Sequence, residues 1–525
     1  MEENLRFFNI AGPCNPVEHY MLPALERLPE VYKLIRKKQY FVLHAPRQSG
    51  KTTAIKALAG EINAKEEKVA LYCSLESAEN FGREEGLSKI CTVLCKQIQG
   101  CTPLAKFHQE FSEADKQRVK EKMPGDVGEL LTGITRKAEK PLVVFFDEVD
   151  CLQDELLISF LRQLRDGYVN RDEIPFPSSI ALVGLRNIRD YKVKIRPEAK
   201  SLGTASPFNI IAKASTLRNF TLDEIRTLYN QRTAETGQIF EEAAVEKAYE
   251  YTCGQPWLVN ALARYCTEEI RNDTDFSTVT AEDMHDAKEQ IIRERGTHID
   301  SLMDKMREER VRRIMEPVLL GEKLAGEIIS DDISYVMDLG LLKYENNVLV
   351  PSNRMYCEIL FRYMSFELQN DIKATLPQNV WIKDGEIDMD GLMTSFQEYW
   401  RENASEQMIP GRFREAYAVF ALQAFLQRVV NGGGEIGREV AANSGRVDIM
   451  VKYNDQKYLV EAKTISNYNK SHKAAHEQLL RYMDTYNKDE GWLLIFDPDF
   501  TKPWEGRIRR EELVEGGKKL HLVFC

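Results

Sequence analysis

Short apolar runs recur through the first third of the chain and alternate with longer stretches of helical periodicity. Tyr40 to His44, Pro141 to Phe146 and Ile180 to Leu185 are such runs. Strands that alternate with helices along a chain are typical of a parallel sheet covered by helices on both faces. The pattern predicts an α/β core over residues 1–215, with a charged, mainly helical insertion between Glu76 and Lys140.

The periodicity becomes helical from Thr221 onward. A glycine and a proline, Gly254 and Pro256, interrupt it and start a new helix. We expect residues 216–296 to form a helical lid that closes over the core.

Residues 297–370 follow the pattern of a winged helix. The predicted elements are a long helix at His298 to Met315, a short helix at Asp332 to Leu339 and a hairpin at Leu341 to Val350. Winged helices often enter the major groove of DNA, but phosphates repel the three aspartates of the short helix. These aspartates are Asp331, Asp332 and Asp338. The composition therefore favours a scaffolding or partner-docking role.

Residues 371–410 mix proline, glycine and polar residues with one amphipathic helix, Asp390 to Trp400. Such a composition is typical of a connection between domains. We expect this segment to link the N-terminal part to a last domain over residues 411–525.

Two short apolar strands near the C-terminus flank Asn454 and Asp455 and predict a β-hairpin. A turn centred between those two residues places Asp448 directly opposite Glu461, with Lys463 on the same face. Facing carboxylates repel, so the arrangement favours a cation between them. Mg²⁺ or Mn²⁺ fits, because such ions take one or two carboxylates and keep waters. The alternative is an exposed hairpin whose charges are merely solvated.

Further residues strengthen the metal-site interpretation. Gln478 and Tyr482 lie one helical turn apart, so they share a face that can pack over the hairpin. Glu415 lies on an upstream predicted helix, and an apolar strand from Trp492 to Phe496 follows. A bound divalent ion lowers the pKa of a water molecule and stabilises charge on a phosphodiester. Lys463 can orient that water or neutralise the phosphate.

The segment after the first strand has the pattern of a phosphate-binding loop. Its backbone N–H groups and the following helix N-terminus cradle phosphates, Lys51 reaches the β and γ phosphates, and Thr52 ligates Mg²⁺. An alanine replaces the first glycine of the usual pattern, which makes the loop less permissive. The candidate nucleotide-binding residues are Ala45, Pro46, Arg47, Gln48, Ser49, Gly50, Lys51, Thr52 and Thr53.

Acidic residues follow the strand that ends at Phe146. Asp147 is a candidate Mg²⁺ ligand, and Glu148 is the candidate catalytic group that polarises the attacking water. The next strand ends at Arg186 and Asn187, where a polar sensor of the γ-phosphate is expected. Three elements in this order predict ATP and Mg²⁺ as cofactors.

Arg162 and Arg165 follow the acidic residues on a predicted helix. They can act on the nucleotide of a neighbouring subunit, but ordinary surface arginines fit the same pattern. The stronger interpretation is a solvated helix face.

Composition narrows the class of protein. A chain of 525 residues has room for about three or four domains, and 43% hydrophobic residues suffice for several cores. The N-terminus has no basic, apolar signal peptide, and no apolar run is long enough to span a bilayer. We therefore expect a soluble, cytoplasmic protein without membrane partners. The ten cysteines lack the spacing of a zinc site, so we expect reduced, mostly buried thiols.

The formal net charge of −11 argues against non-specific coating of nucleic acid. Its distribution is uneven, because residues 411–525 carry 18 Lys plus Arg against 16 Asp plus Glu. This part is therefore +2 and the remainder −13. The C-terminal part therefore repels the phosphates of a nucleic acid less than the rest of the chain does.

The order of the C-terminal elements resembles the PD-(D/E)XK nuclease family. In that family, an Asp and a Glu hold the metal, a Lys is catalytic, and a Gln and a Tyr of the next helix support the site. The matching residues are Glu415, Asp448, Glu461, Lys463, Gln478 and Tyr482. Val447 stands where the family often has a proline.

Longer segments resemble a bacterial family of AAA-like ATP-binding proteins, related to the STAND and archaeal ATPase groups. These segments are FNIAGPCNPVEHYMLPALERL, APRQSGKTT, SPFNI, ETGQIF and GQPWLVNALA. The resemblance implies a P-loop core of the ASCE type, a helical lid, a winged helix and a C-terminal PD-(D/E)XK domain. It also implies that His19, Tyr20 and Arg27 lie near the nucleotide base and that Pro256 approaches the phosphates.

The resemblance implies an ATP-gated, metal-dependent nuclease that favours DNA and acts in defence against phage or foreign DNA. Relatives of the STAND group use ATP as a switch for oligomerisation, so a homo-oligomer and a protein partner at the winged helix are expected. Two alternatives stay open. One is a DNA-repair or mobile-element ATPase that moves on DNA, and the other is a regulatory scaffold that binds nucleic acid without cleaving it.

Overall fold

A computed structural model describes residues 5–185, 209–271, 275–294, 296–319, 330–360, 362–363, 381–383, 385–403, 421–422, 425–426, 434–440, 447–454, 456–497, 499 and 502–525. Contacts divide the chain into two compact units. Unit 1 comprises Met1–His298, Ile333–Leu342 and Ser352–Met355, and unit 2 comprises Ile299–Asp332, Lys343–Pro351 and Tyr356–Cys525. No helix within the described residues is long and apolar enough to cross a membrane.

The core of unit 1 is a sheet of five parallel strands in the order β2-β3-β4-β1-β5. The strands are β1 (Tyr40–His44), β2 (Val69–Ser74), β3 (Leu142–Asp147), β4 (Ser179–Gly184) and β5 (Ile211–Thr216). Every residue of β3 and β4 is buried, because helices cover both faces of a parallel sheet. The predicted α/β core is confirmed, and β4 lies between β1 and β3.

Helices pack on both faces of this sheet. They are α1 (Val31–Arg36), α2 (Lys51–Ala64), α3 (Arg83–Gly100), α4 (His108–Lys120), α5 (Val127–Ala138) and α6 (Asp154–Val169). Tyr40 and Val42 share a core with α3, α5 and α6, whereas Phe41 and Leu43 share the opposite core with α1 and α2. This division follows from the two-residue period of a strand.

The described part of residues 222–294 is mainly helical, as the periodicity predicts. Its α-helices are α7 (Leu222–Thr236), α8 (Glu242–Thr252), α9 (Pro256–Arg264) and α10 (Ala281–Glu294). Thr221 and Glu224 form a reciprocal capping box at the start of α7. Gln255 caps α9, whose first residue is Pro256, a position where the missing N–H needs no partner.

Two glycines of this helical region have left-handed backbones but different surroundings. Gly237 has φ of +80° and Gly254 has φ of +72°. A Cβ on Gly254 would lie 1.8 Å from the carbonyl oxygen of Phe220, whereas a Cβ on Gly237 would meet nothing within 4 Å. We expect Gly254→Ala to lower the free energy of unfolding by roughly 3 kcal/mol and Gly237→Ala by about 1 kcal/mol. Chemical denaturation measures both losses, and equal losses would contradict the close approach at Gly254.

The segment after residue 297 differs from the single long helix that the sequence predicts. It forms α11 (Thr297–Met306) and α12 (Glu309–Leu319). Glu308 starts the second helix, because its carbonyl accepts the amides of Val311 and Arg312. Its carboxylate also accepts from Lys305 and Arg310, which fixes the bend between the helices.

A short helix and a hairpin follow, as predicted. They are α13 (Ser330–Asp338), β6 (Leu342–Glu345) and β7 (Val348–Pro351). The two units divide this region between them. Its assignment as a winged helix stays a prediction.

Unit 2 is built on a mixed sheet of six strands in the order β10-β11-β12-β13-β15-β14. The small pair β8 (Ile382–Lys383) and β9 (Glu386–Ile387) and the helix α14 (Met389–Asn403) precede it. The strands are β10 (Gly434–Val440), β11 (Val447–Tyr453), β12 (Gln456–Thr464), β13 (Glu490–Phe496), β14 (Arg509–Glu515) and β15 (Lys518–Phe524). The first three are antiparallel, and β13 runs parallel to both β12 and β15.

Two cores lie on opposite faces of this sheet. One contains α16 (His472–Thr485), which follows α15 (Ile465–Lys470) between β12 and β13. The other contains α14, whose Leu392 and Phe396 share a core with Ile449 and Trp492. Residues 371–410 are therefore not only a connection, because the apolar face of α14 is buried in unit 2. The short helix α17 (Trp504–Arg507) precedes β14.

Candidate nucleotide site and candidate metal site

The loop between β1 and α2 has the geometry of a phosphate-binding loop. Gln48 and Gly50 have positive φ, and Gly50 immediately precedes the first helical residue. Such a loop presents unsatisfied backbone N–H groups to an anion. Ala45 is buried, lies outside the positive-φ region, and donates its amide to the carbonyl of Gly184 over 3.3 Å. An alanine therefore fits where the usual pattern has glycine.

Lys51 is the buried cation of this loop. Its Nζ donates to the carbonyl oxygens of Ala45 at 2.6 Å and Pro46 at 2.9 Å. Burial lowers the pKa of Lys51, while the neighbouring carboxylates, first that of Glu148, act in the opposite direction. The ammonium group thus lies within the loop that the sequence assigns to phosphate binding.

The end of β3 brings the predicted acidic residues to the same place. Thr52 Oγ1 donates to Asp147 Oδ2 at 2.7 Å, and the amide of Glu148 donates to Asp147 Oδ1 at 3.0 Å. Asp147 is fully buried. Burial and the neighbouring Asp147 raise the pKa of Glu148. The adjacent hydroxyl and carboxylate oxygens are the ligand types that Mg²⁺ takes, so the donor set fits this ion.

Two residues near Asp147 were not predicted from the sequence. Tyr72 donates its hydroxyl to Asp147 Oδ2 at 3.1 Å, because β2 lies beside β3. Asp150 accepts the amide of Leu185 with both carboxylate oxygens at 2.8 Å, which fixes the end of β4. No motif contains these contacts, since they depend on the order of the strands.

Arg27 contacts the loop directly. Its guanidinium donates to the carbonyl oxygens of Ser49 at 2.9 Å and Arg218 at 2.8 Å. Burial lowers the pKa of Arg27 to about 10. His19 and Tyr20 are also buried, and His19 Nδ1 accepts the amide of Asn15. The proximity of these three residues to a nucleotide base stays a prediction.

The start of α9 approaches the same loop. Gln255 Nε2 donates to the carbonyl oxygen of Gln48 at 3.4 Å, and Pro256 follows as the first residue of the helix. The Trp257 ring contacts His298 at 4.8 Å between centroids. Burial, assisted by the positive charge of Arg47, lowers the pKa of His298 to about 4. The role of Pro256 at the phosphates stays a prediction.

The end of α13 also packs against the loop. A Cβ on Gly340 would lie 2.6 Å from Pro46, and Asp338 Oδ1 lies 3.8 Å from His44 Nδ1. Asp338 is one of the three aspartates that disfavour binding of this helix to DNA. In the structure it lies beside His44 of β1.

The remaining nucleotide-site predictions are not tested by this geometry. Arg186 and Asn187 lie outside the described residues. Arg162 is exposed and Arg165 is half-buried on α6. An action on a neighbouring subunit stays a prediction for both.

The C-terminal hairpin has the predicted register. Asp448 on β11 is paired with Glu461 on β12, and Tyr453 is paired with Gln456 at the turn. Asn454 has φ of +48°, a left-handed conformation that asparagine tolerates in tight turns. Directly paired residues of neighbouring strands point to the same side of the sheet. The backbone register therefore assigns positions 448 and 461 to one face of the sheet.

Glu461 is buried, with 1% of its surface exposed. Its Oε1 pairs with Lys463 Nζ, and its Oε2 has no hydrogen-bond partner within the described residues. A buried carboxylate oxygen without a partner is unfavourable unless a cation or donor reaches it. The unpartnered Oε2 of Glu461 is thus compatible with a divalent cation.

The helix α16 covers this face of the sheet. Leu459 on β12 and Leu493 on β13 share a core with Leu479. Gln478 is buried next to Leu479 in the sequence, and Tyr482 lines one small cavity together with Glu461. The predicted packing of this helix over the hairpin is confirmed.

Parts of the predicted metal site cannot be placed. Glu415 and the side chain of Asp448 lie outside the described residues. Among the side chains that are described, no group of three His, Cys, Asp or Glu residues is close enough to hold a metal ion. The ten cysteines are unpaired in the structure, and seven of them are buried.

The nucleotide site therefore has the parts of a P-loop ATPase, and comparison with known families agrees. Residues 41–176 match the family described as ATPase family associated with various cellular activities (AAA). This part of the chain is a P-loop, ATP-binding ATPase domain of the AAA type. Residues 402–499 match a domain of unknown function (DUF8371). No curated protein matches the chain in sequence.

Solved structures with a similar arrangement include the Walker-type ATPase paby2304 of Pyrococcus abyssi. It has 16% identity and a TM-score of 0.49, and the match covers 67% of this chain and 99% of that one. Cdc6p of Pyrobaculum aerophilum has 12% identity and a TM-score of 0.36, over 69% and 98% of the two chains. The Holliday junction branch migration motor RuvB of Thermotoga maritima has 12% identity and a TM-score of 0.33, over 64% and 92%.

Proposed function

We propose that this protein is an ATP-gated, metal-dependent nuclease that cleaves nucleic acid phosphodiesters, with foreign DNA as the preferred substrate. The observation that carries the proposal is Glu461. It is buried, retains one carboxylate oxygen without a hydrogen-bond partner among the described residues, and lies opposite Asp448 in the hairpin. Burial of a carboxylate oxygen without a hydrogen-bond partner costs free energy. Such a group is therefore typical of a site that binds a ligand.

Asp448 and Glu461 would hold Mg²⁺ or Mn²⁺ in this site. When bound, such an ion acts as a Lewis acid and generates a nucleophilic water at neutral pH. Lys463, whose Nζ pairs with Glu461, orients the attacking water or neutralises charge on the phosphate. Gln478 and Tyr482 support the site from α16, and Glu415 is a further candidate ligand or support by resemblance to PD-(D/E)XK nucleases.

The ATPase domain supplies the proposed control. Thr52 and Asp147 would hold Mg²⁺, which neutralises charge on the phosphates, and Lys51 would contact the β and γ phosphates. Glu148 would position the water for hydrolysis, and burial together with the neighbouring Asp147 raises its pKa. Contacts of Gln255 with the loop give the helical lid a way to respond to the nucleotide.

A cleavage assay on the full chain tests the proposal. DNA and RNA are incubated with Mg²⁺ or Mn²⁺ and with ATP, a non-hydrolysable ATP analogue or no nucleotide. We expect cleavage that requires the metal and is supported by the analogue. Cleavage that needs ATP turnover would instead indicate a motor on DNA. Absence of cleavage with every metal and nucleotide would contradict the nuclease.

A further inference from the structure

Two grooves of about 400 Å³ and 770 Å³ in unit 1 are each lined partly by residues of α2. Lys68 lines both of them. We call their combined lining the basic track. The charged side chains of the basic track are Lys33, Arg36, Lys56, Lys65, Lys68, Lys140, Glu66 and Glu67.

The basic track is strongly positive on a negative chain. It contains six cationic and two acidic side chains, whereas the whole chain carries a net charge of −11. Lys65 pairs with Glu61. Among the described residues, no carboxylate lies within ion-pair distance of the other five cations. A cluster of cations with few carboxylates at ion-pair distance favours an anionic ligand.

Aromatic rings are interleaved with these cations. Lys65 Nζ lies 4.9 Å from the centroid of the Tyr32 ring, and Lys56 Nζ lies 5.0 Å from that of Tyr72. Both rings are half-buried and line the grooves. A cationic groove with accessible aromatic rings is the usual surface for a nucleic-acid strand, because lysines contact phosphates and rings contact bases.

One end of the basic track reaches the ATPase site. The Tyr72 ring that lies under Lys56 donates its hydroxyl to Asp147 Oδ2 at 3.1 Å. The same oxygen accepts from Thr52. A change in the position of Lys56 or Tyr72 therefore alters the hydrogen bonding of the proposed Mg²⁺ ligand.

We propose that the basic track binds a nucleic-acid strand and that Tyr72 is the positioning residue that couples this binding to ATP hydrolysis. The inference deepens the proposed function, because it supplies a contact for nucleic acid within the ATPase unit. It does not depend on the metal site at Glu461, since binding and ATP hydrolysis are measured without cleavage.

Fluorescence anisotropy with a labelled oligonucleotide tests the binding on the full chain in EDTA. Single-stranded DNA, duplex DNA and RNA are compared for wild type and for the triple variant Lys33→Gln, Arg36→Gln, Lys68→Gln. We expect the affinity of the variant to be roughly tenfold lower or more. We also expect the slope of its log binding constant against log salt concentration to be smaller in magnitude by about two to three. The control carries Lys116→Gln, Lys120→Gln and Lys122→Gln, which remove equal charge at exposed positions outside the grooves.

Equal losses in both triple variants, or none in either, would overturn the basic track as a binding site. Competition with poly-glutamate and with anionic lipid vesicles checks the class of ligand. If either displaces the oligonucleotide as well as unlabelled DNA does, the assignment to nucleic acid fails. A protein that binds the oligonucleotide but never cleaves it would contradict the proposed nuclease while leaving the basic track intact.

Tyr72→Phe tests the coupling, since it keeps the ring under Lys56 and removes the hydroxyl. We expect unchanged oligonucleotide affinity and a loss of the stimulation of ATP hydrolysis by nucleic acid. Stimulation equal to that of wild type, or no stimulation in wild type, would overturn the coupling role. Thermal unfolding of each variant verifies that the fold is retained.

Discussion

We expect Glu461→Gln to slow the proposed metal-dependent cleavage of nucleic acid roughly a hundredfold or more. The substitution keeps the size of the side chain but removes the negative charge and one metal-binding oxygen from a fully buried position. A neutral amide binds a hard divalent ion much more weakly than a carboxylate does. The measurement is the initial cleavage rate over a range of Mg²⁺ and Mn²⁺ concentrations.

The same substitution at Glu477 is the matched control. Glu477 is exposed on α16, next to the buried Gln478, and its partner is Lys473 at the surface. We expect Glu477→Gln to cleave like wild type and both variants to hydrolyse ATP normally. If Glu461→Gln cleaves as fast as wild type, Glu461 takes no part in the cleavage reaction. A loss of ATP hydrolysis in Glu461→Gln would indicate general misfolding.

Lys51→Ala is expected to reduce ATP hydrolysis by on the order of a hundredfold or more, because it removes the ammonium group from the phosphate-binding loop. The loop holds this group through the carbonyls of Ala45 and Pro46. Its loss leaves the backbone N–H groups as the main contacts to the phosphates. ATP binding by calorimetry and phosphate release measure the two effects separately.

Glu148→Gln separates binding from hydrolysis. We expect it to bind ATP but to hydrolyse it slowly, since the group that positions the water is neutralised. If ATP acts as a switch, this variant cleaves nucleic acid with ATP, whereas Lys51→Ala does not. Lys116→Ala, at an exposed position of α4, is the control for loss of a lysine. Full ATPase activity in Lys51→Ala would contradict the assignment of the loop.

The elements that the sequence predicted best are those fixed by local chemistry. The turn at Asn454 sets the register of the hairpin, so the pairing of Asp448 with Glu461 followed from the position of the turn alone. The phosphate-binding loop and the strand before Asp147 were likewise predictable. Each requires a short pattern in which every residue has a defined role.

The elements that were missed depend on distant parts of the chain. β14 is exposed along six of its seven residues and, among the described strands, pairs with β15 alone. Its sequence therefore lacks the alternation of a half-buried strand. The contact of Tyr72 with Asp147 requires that β2 and β3 be neighbours, which no local pattern specifies. The burial of α14 in unit 2 could have been inferred from its apolar residues, such as Phe396.

The pairing of β11 with β12 limits how nucleotide could control the proposed metal site. If β11 slipped by one residue against β12, Ile449 and Val451 would leave the core in which they are buried. The register that buries these two residues is the same one that pairs Asp448 with Glu461. Positions 448 and 461 are therefore paired whenever this hairpin forms. The proposed control by ATP would therefore act on the entry of substrate or on the placement of Lys463, because the backbone pairing of positions 448 and 461 is fixed by the fold.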